Sequence, residues 1–281
     1  MEKNVLKFIS QNDDIWLKDE LMNHISKKFY KNLKFKKAIF LVNNVEHPTY
    51  KPVKKGDIIT IEYFKEEEVI DWPIYESKLD IYYEDENYMV VNKRAGLLTI
   101  PTKAEEFSLY QEALYYLKTT NQDLNVSILN RLDKDTKGLV VIAKNRLAAN
   151  YLQPTHEKMV RKYKCLCHGI FKEDNGVIKN YIDKHEDSNK RFISLEKGKI
   201  AISHYRVLKR NLDSTLVEFV LETGRTHQIR LHTSSLGNPI IGDAMYGIDS
   251  EADLHLCSYH VSFINPFTNE EVICEIESGW E

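Results

Sequence analysis

Two polar strings in this chain of 281 residues carry side chains that could do chemistry. The first runs Asn130-Arg131-Leu132-Asp133-Lys134-Asp135-Thr136-Lys137 and continues into Gly138-Leu139-Val140-Val141-Ile142-Ala143-Lys144. A loop with one arginine and two acids thus leads straight into an apolar run of the buried-strand kind. A carboxylate at the mouth of such a strand can be held rigidly, partly desolvated and facing a cleft. The competing reading is an aspartate ion-paired within a turn. The second string is Gly224-Arg225-Thr226-His227-Gln228-Ile229-Arg230-Leu231-His232. Two arginines and two histidines this close point to an anion or polar-substrate site. His227 and His232, with His255 and His260, raise the question of a metal. Neither pair has a third ligand or carboxylate at a zinc-site spacing, so the histidines are expected to make structural hydrogen bonds and no metal is expected.

The elements that must position these strings follow from hydrophobic periodicity. Leu17, Leu21 and Ile25 recur at helical spacing. Ser26 has the type and place of an N-cap, ahead of a second, basic helix with Phe29, Tyr30 and Leu33 on its apolar face. Ala38 to Val42 is a strand stopped by Asn43-Asn44, and Lys55-Gly56-Asp57 is a turn before the alternating strand around Ile59, Ile61 and Tyr63. The acidic, proline-containing run from Lys65 to Lys78 reads as a linker. Beyond it come a strand at Tyr88–Val91, a loop closed by Ala95-Gly96, and a helix capped by Ser108 with Leu109, Ala113 and Leu117 on one face. A strand at Leu139–Ala143 leads into a helix from about Asn145 to Leu152. Further strands are expected near Tyr163–His168, His204–Leu208, Thr215–Glu222 and Tyr259–Ile264. The expected organisation is α+β, with domains at 1–64 and 79–281 joined by 65–78.

Composition narrows the classes. Hydrophobic residues at 42% and charged residues at 29% fit a soluble globular protein. Four cysteines, none in a Cys-x-x-Cys pair, are too few for a disulfide scaffold and argue against structural zinc. The first residues hold no apolar stretch of signal-peptide length, and no run approaches ~18 apolar residues, so a cytoplasmic protein without a membrane partner is expected. Net charge is −3, but residues 18–55 hold ten lysines against three acids, a net of +7, which leaves −10 for the rest. Such a block is either an RNA footprint or a solvated helix face.

The two strings together resemble the RluA-type family of RNA pseudouridine synthases. The pattern R-L-D-x-x-T-x-G-L-x-x-x-A-K is followed about ninety residues later by G-R-T-H-Q-I-R-L-H. Other segments agree in order: Tyr83–Lys93 with its loop to Gly96, Arg161-Lys162-Tyr163 with Gly169, Gly242-Asp243-Ala244-Met245-Tyr246-Gly247, and Leu254-His255-Leu256 with Pro266. The likeness spans residues 79 to 275. The N-terminal module resembles an S4-like RNA-binding domain through Ser26-Lys27-Lys28, Val42-Asn43 and Gly56-Asp57.

The resemblance implies a pseudouridine synthase fold, a mixed and mostly antiparallel central sheet with flanking helices and loops, preceded by a small S4-like α+β domain. It implies isomerisation of uridine in ribosomal or transfer RNA, with the base turned out of its stack and no cofactor, because no group is lost and nothing is oxidised. Asp133 matches the catalytic aspartate, Arg230 the arginine paired with it, and Tyr163 the tyrosine that stacks on the flipped base. Arg131 and Arg225, with Lys27, Lys28, Lys31 and Lys34, are the expected RNA contacts, and a monomer is expected. Three positions depart from the pattern: Asn130 stands where histidine is usual, Lys137 where serine is usual, and Arg94 where proline is usual. Arg94 and Lys137 are expected to add positive charge near the cleft. Two other functions compete, a catalytically silent RNA-binding or ribosome-assembly factor on the same fold, and a hydrolase using Asp133 with Asp135 or Asp243.

Overall fold

In a computed structural model, residues 3–25, 27–35, 37–64, 76–102, 107–152, 159–185, 190–248 and 252–280 are described. The expected cap Ser26 and most of the expected linker, residues 65–75, lie outside them. The chain forms two compact units, one of residues 1–71 with 145–154, the other of residues 72–144 with 155–281.

The first unit opens with β1 (Lys3–Ile9), β2 (Ile15–Trp16), α1 (Leu17–His24) and α2 (Lys27–Phe35), followed by β3 (Ile39–Val42), β4 (Val45–Glu46), β5 (Pro52–Val53) and β6 (Ile58–Phe64). Four of these strands pair in the order β1-β6-β3-β4. Asn43 and Asn44 both adopt left-handed backbone, which is why the strand stops there. On α2 the buried side chains are Phe29, Tyr30 and Leu33, while Lys27, Lys31 and Lys34 are exposed. The helix α4 (Arg146–Leu152), capped by the Asn145 side chain on Ala148 N at 2.8 Å, adds Leu147 and Tyr151 to this unit's core.

Sequence periodicity missed β1. Its alternation is real, with Leu6 and Phe8 buried, but Val5 and Ile9 on the exposed face are apolar too. Hydropathy therefore hides the period of two.

The second unit holds β7 (Ile81–Glu84), β8 (Tyr88–Lys93), α3 (Leu109–Thr119), β9 (Ser127–Ile128), β10 (Lys137–Ala143), β11 (Met159–His168), β12 (Asn175–Lys184), β13 (Arg191–Ser194), β14 (Lys199–Arg210), β15 (Ser214–Leu221), α5 (Gln228–Ser235), β16 (Leu256–Ile264) and β17 (Glu271–Glu275). The sheet order is β13-β12-β14-β15-β11-β16-β10-β8-β7, with β17 on β16 and β9 on β10. Among the described strands the pairings are antiparallel except β10 with β16. That crossing is tight: a Cβ on Gly138, at φ +124°, would lie 2.3 Å from the Ser258 carbonyl oxygen. Only glycine allows the strand after Asp133 to start there.

One face of the sheet packs Met89, Val91, Val140, Ile142, Cys165 and Phe219 against Leu109, Ala113 and Leu117 of α3, the helix face expected from the sequence. Ser108 does precede α3, but its hydroxyl bonds the Gln111 side chain instead of a backbone N–H.

Candidate active site

The loop between β9 and β10 is tied down residue by residue. Asn130 is buried and copies a strand partner, donating Nδ2 to Leu139 O at 3.1 Å and accepting Val141 N at 2.7 Å. The Thr99 hydroxyl donates to Leu132 O at 2.7 Å and accepts Leu132 N at 3.2 Å. Thr136 N closes a turn onto Asp133 O at 3.2 Å. Lys93, at the end of β8 and without solvent exposure, donates Nζ to Arg94 O (3.0 Å), Leu97 O (2.7 Å) and Lys134 O (2.8 Å). Burial pushes its ammonium down to about 8, against the pull of Asp135 and Asp133. Asp133 thus sits between two residues, Leu132 and Lys134, whose carbonyls are pinned.

The partner loop runs from β15 into α5. Gln228 accepts Thr223 Oγ1 (2.8 Å) and Arg225 N (3.0 Å) and donates to Ile202 O (3.0 Å) and Ser203 Oγ (2.9 Å). These four bonds hold the turn in which His227 takes φ 59°, a left-handed conformation that a non-glycine residue adopts at a cost of order 1 kcal/mol. One turn into α5, Arg230 is buried.

Arg230 has two carboxylates. Its Nε donates to Asp243 Oδ2 at 2.8 Å and its Nη2 to Asp243 Oδ1 at 2.6 Å, a two-pronged grip on a side chain only 1% exposed. Met245 N and Tyr246 N also donate to Asp243 Oδ1, at 3.0 and 3.1 Å. The remaining nitrogen, Nη1, faces Asp133 Oδ2 at 3.7 Å. Burial opposes the Arg230 charge, but the Asp243 hydrogen bonds and charge outweigh it and hold the guanidinium above its ordinary range. Burial likewise works against the Asp243 carboxylate, and Arg230 with the two backbone donors holds it below the usual range. Asp243 is placed by Gly242, at φ +77°, where a Cβ would meet Asp253 O at 2.1 Å. Sequence reasoning paired Arg230 with Asp133. The structure keeps that contact but makes Asp243 the principal partner, a role carried by the Gly242-Asp243 string.

These residues open on a cleft of about 1370 Å³, lined among others by Arg131, Asp133, Tyr163, Arg225, His227 and Arg230. Among its described lining residues, seven basic side chains face three acidic ones, although the chain is net −3. Tyr163 is buried on β11, and burial raises its hydroxyl pKa, partly offset by the Arg161 charge. Arg131 is exposed, and Arg225 is anchored through Nε on Ile200 O at 2.9 Å. Asp133, Tyr163, Arg230, Arg131 and Arg225 therefore share one cleft. Lys27, Lys28, Lys31 and Lys34 belong to α2 of the other unit, the Lys28 side chain lying outside the described residues.

Two expectations are corrected. Arg94 does not add free charge to the cleft, since its Nη1 pairs with Glu112 Oε1 at 2.7 Å. Nor does Lys137, whose Nζ donates to Ser278 O at 2.8 Å and lies 4.5 Å from the Trp280 ring centre. The histidines do make structural hydrogen bonds. His227 Nδ1 meets Tyr246 Oη at 2.7 Å, His232 Nδ1 meets Ser203 Oγ at 2.9 Å, and His260 Nδ1 meets Glu275 Oε1 at 2.7 Å. Among the described residues no cluster of three His, Cys, Asp or Glu side chains could hold a metal ion, and no helix is long and apolar enough to cross a membrane.

The mostly antiparallel sheet is a fold shared with known structures. The fold matches human RNA pseudouridylate synthase domain containing 1 with a TM-score of 0.60 at 24% identity, covering 71% of this chain and 84% of that one. Residues 87–235 match the sequence family described as RNA pseudouridylate synthase. Over 258 residues the chain is 36% identical to the uncharacterized RNA pseudouridine synthase YjbO of Bacillus subtilis, covering 88% of this chain and 89% of that one. Over 232 residues it is 33% identical to ribosomal large subunit pseudouridine synthase D of Buchnera aphidicola, covering 81% and 73%. The chain belongs to the RluA-type RNA pseudouridine synthases. It is an enzyme that isomerises uridine in RNA to pseudouridine, and RNA is its substrate.

Proposed function

We propose that Asp133 is the nucleophile of this isomerisation, that Arg230 orients it, and that Tyr163 stacks on a uracil turned out of its helix. In the reaction the C1′–N1 glycosidic bond breaks and a C5–C1′ bond forms. The C5 proton leaves and N1 gains one, so the balance needs neither redox change nor cofactor. The observation that carries the reading is Arg230 gripped by Asp243 with Nη1 turned to Asp133 at 3.7 Å. A fixed cation beside a partly exposed carboxylate aims it without blocking it. Arg131 and Arg225 in the same cleft suit the phosphates flanking the flipped nucleotide.

The silent-binder reading is disfavoured because the full constellation is present. The hydrolase reading that pairs Asp133 with Asp243 is disfavoured because Asp243 is committed to Arg230. We assign an S4-like RNA-binding role to residues 1–64, supported by the exposed Lys27, Lys31 and Lys34 on α2, with Lys28 on the same helix. Residues 65–78 then link it to a catalytic domain of residues 79–281, apart from α4, which packs in the first unit's core. Structured RNA of the translation machinery, ribosomal before transfer RNA, is the proposed substrate, because relatives carry large-subunit names. A monomer acting in the cytoplasm, where such RNA substrates are made and used, completes the proposal.

The test is a pseudouridine map of total RNA from cells lacking the gene, complemented with wild type or Asp133→Asn. We expect one or a few sites to vanish on deletion and to return only with wild type. Restoration by the Asn variant sinks the assignment of Asp133.

A further inference from the structure

Beyond Arg230, a second group faces the same oxygen of Asp133. His227 Nε2 lies 3.9 Å from Asp133 Oδ2, the atom that Arg230 Nη1 approaches at 3.7 Å. The far side of the imidazole is fixed by Tyr246. The Tyr246 hydroxyl accepts the backbone N–H of Arg191, on the edge strand β13, at 2.9 Å, and lies 2.7 Å from His227 Nδ1. A phenol has one proton to give. Where that proton is given to Nδ1, Nδ1 is the acceptor of the pair. The ring proton is then on Nε2, pointing at Asp133.

We propose that Tyr246 and His227 form a positioning relay that sets the Nε2–H tautomer and, with Arg230, anchors Asp133 Oδ2, leaving Oδ1 as the oxygen that meets the substrate. The inference rests on the assignment of Asp133 as the reactive carboxylate. Three observations carry it. The left-handed His227 backbone is held by the four bonds of Gln228, so the ring is placed at an energetic cost. Burial lowers the imidazole's pKa against the pull of Asp133, so the group offered is a neutral N–H and not a second cation. The relay also begins on β13, so the edge strand whose Arg191 lines the cleft is the one that fixes the Tyr246 hydroxyl. At 3.9 Å the last link is long in the free enzyme, and such links shorten when substrate closes the site.

The test uses full-length enzyme and RNA from gene-deleted cells grown on 5-tritiated uridine, reading tritium release under single turnover and RNA affinity separately. His227→Ala should slow release about tenfold, the worth of one charge-assisted hydrogen bond, and change affinity less than about twofold. His227→Gln can place an amide N–H near Nε2 and should recover most of the rate. His227→Asn reaches only the Nδ1 position and should not. Tyr246→Phe should slow wild type but add little to His227→Gln, which has no tautomer to set. Equal rates for Gln and Asn, additive losses for Tyr246→Phe with His227→Gln, or loss of RNA affinity in all variants would each overturn the relay. Full activity of Asp133→Asn in the same assay would instead remove the assignment on which it rests.

Discussion

The loop from Asn130 to Thr136 and the helix α2, the two regions proposed to meet RNA, are built on opposite terms. The loop is anchored by Asn130, Thr99 and Lys93, with ties at 2.7 to 3.2 Å. On α2, Lys27, Lys31 and Lys34 stand exposed, while Phe29, Tyr30 and Leu33 are buried in the core. Bond rearrangement depends on sub-ångström placement, so a displaced carboxylate costs orders of magnitude. Attraction of a polyanion depends on the number of charges and tolerates loose side chains. Damage to the loop side should therefore appear in rate and stability, and damage to α2 in salt dependence.

The largest effect is expected from Arg230→Ala. It leaves Asp243 buried without its cation, which costs about 3–5 kcal/mol for a fully buried pair, and removes the charge beside Asp133. Thermal unfolding should shift down by several degrees and tritium release should fall at least a hundredfold. A variant that melts and turns over like wild type would show that the Asp243 grip positions nothing.

Next comes Lys93→Met. Three carbonyls surround Nζ, and only the ammonium has three protons to give them. A neutral amine would turn a lone pair to one carbonyl, so the wild-type rate should fall as pH rises through about 8, where burial places this group. The Met variant should be slower by roughly tenfold or more and lack that alkaline limb. Stability should move the other way. Because the native pKa is depressed, between about pH 8 and 10.5 the unfolded chain binds more protons than the native one, and this group's contribution to stability rises with pH. A rate that stays flat to pH 10 would separate Lys93 from the geometry of Asp133.

The smallest change is expected from Lys27→Gln, Lys31→Gln and Lys34→Gln together. RNA affinity at low salt should drop, and the slope of log affinity against log salt should flatten by about two, at 0.7–0.9 per lost phosphate contact. Equal slopes would remove α2 from the RNA interface. Substitution is the sharper tool here, because deleting residues 1–70 would also strip Leu147 and Tyr151 of α4 from their core.

Most of the architecture was legible because strands such as β10, β11 and β15 and the apolar face of α3 carry strong periodicity. The arm β12 was not. Its Val177 and Tyr181 are exposed, so neither face of Asn175–Lys184 carries a clean apolar stripe. Within the site, the family resemblance carried by residue type and order implied that Asp133, Tyr163 and Arg230 belong together, and all three line one cleft.

Which group each one touches was decided only by tertiary structure. Arg230 could have gripped any carboxylate. It grips Asp243 because the close approach at Gly242 brings that side chain under α5. His227 and Tyr246, nineteen residues apart, meet across a turn that Gln228 and Asp243 hold. Lys93 reaches the Asp133 loop because β8 lies beside β10, with Lys93 opposite Gly138. Arg94 and Lys137 read as cleft cations until their partners, Glu112 and the Ser278–Trp280 segment, were in place. A side chain's charge is written in the sequence, but its partner depends on which backbone the fold carries past it, and for buried polar groups that partner decides whether the charge is available.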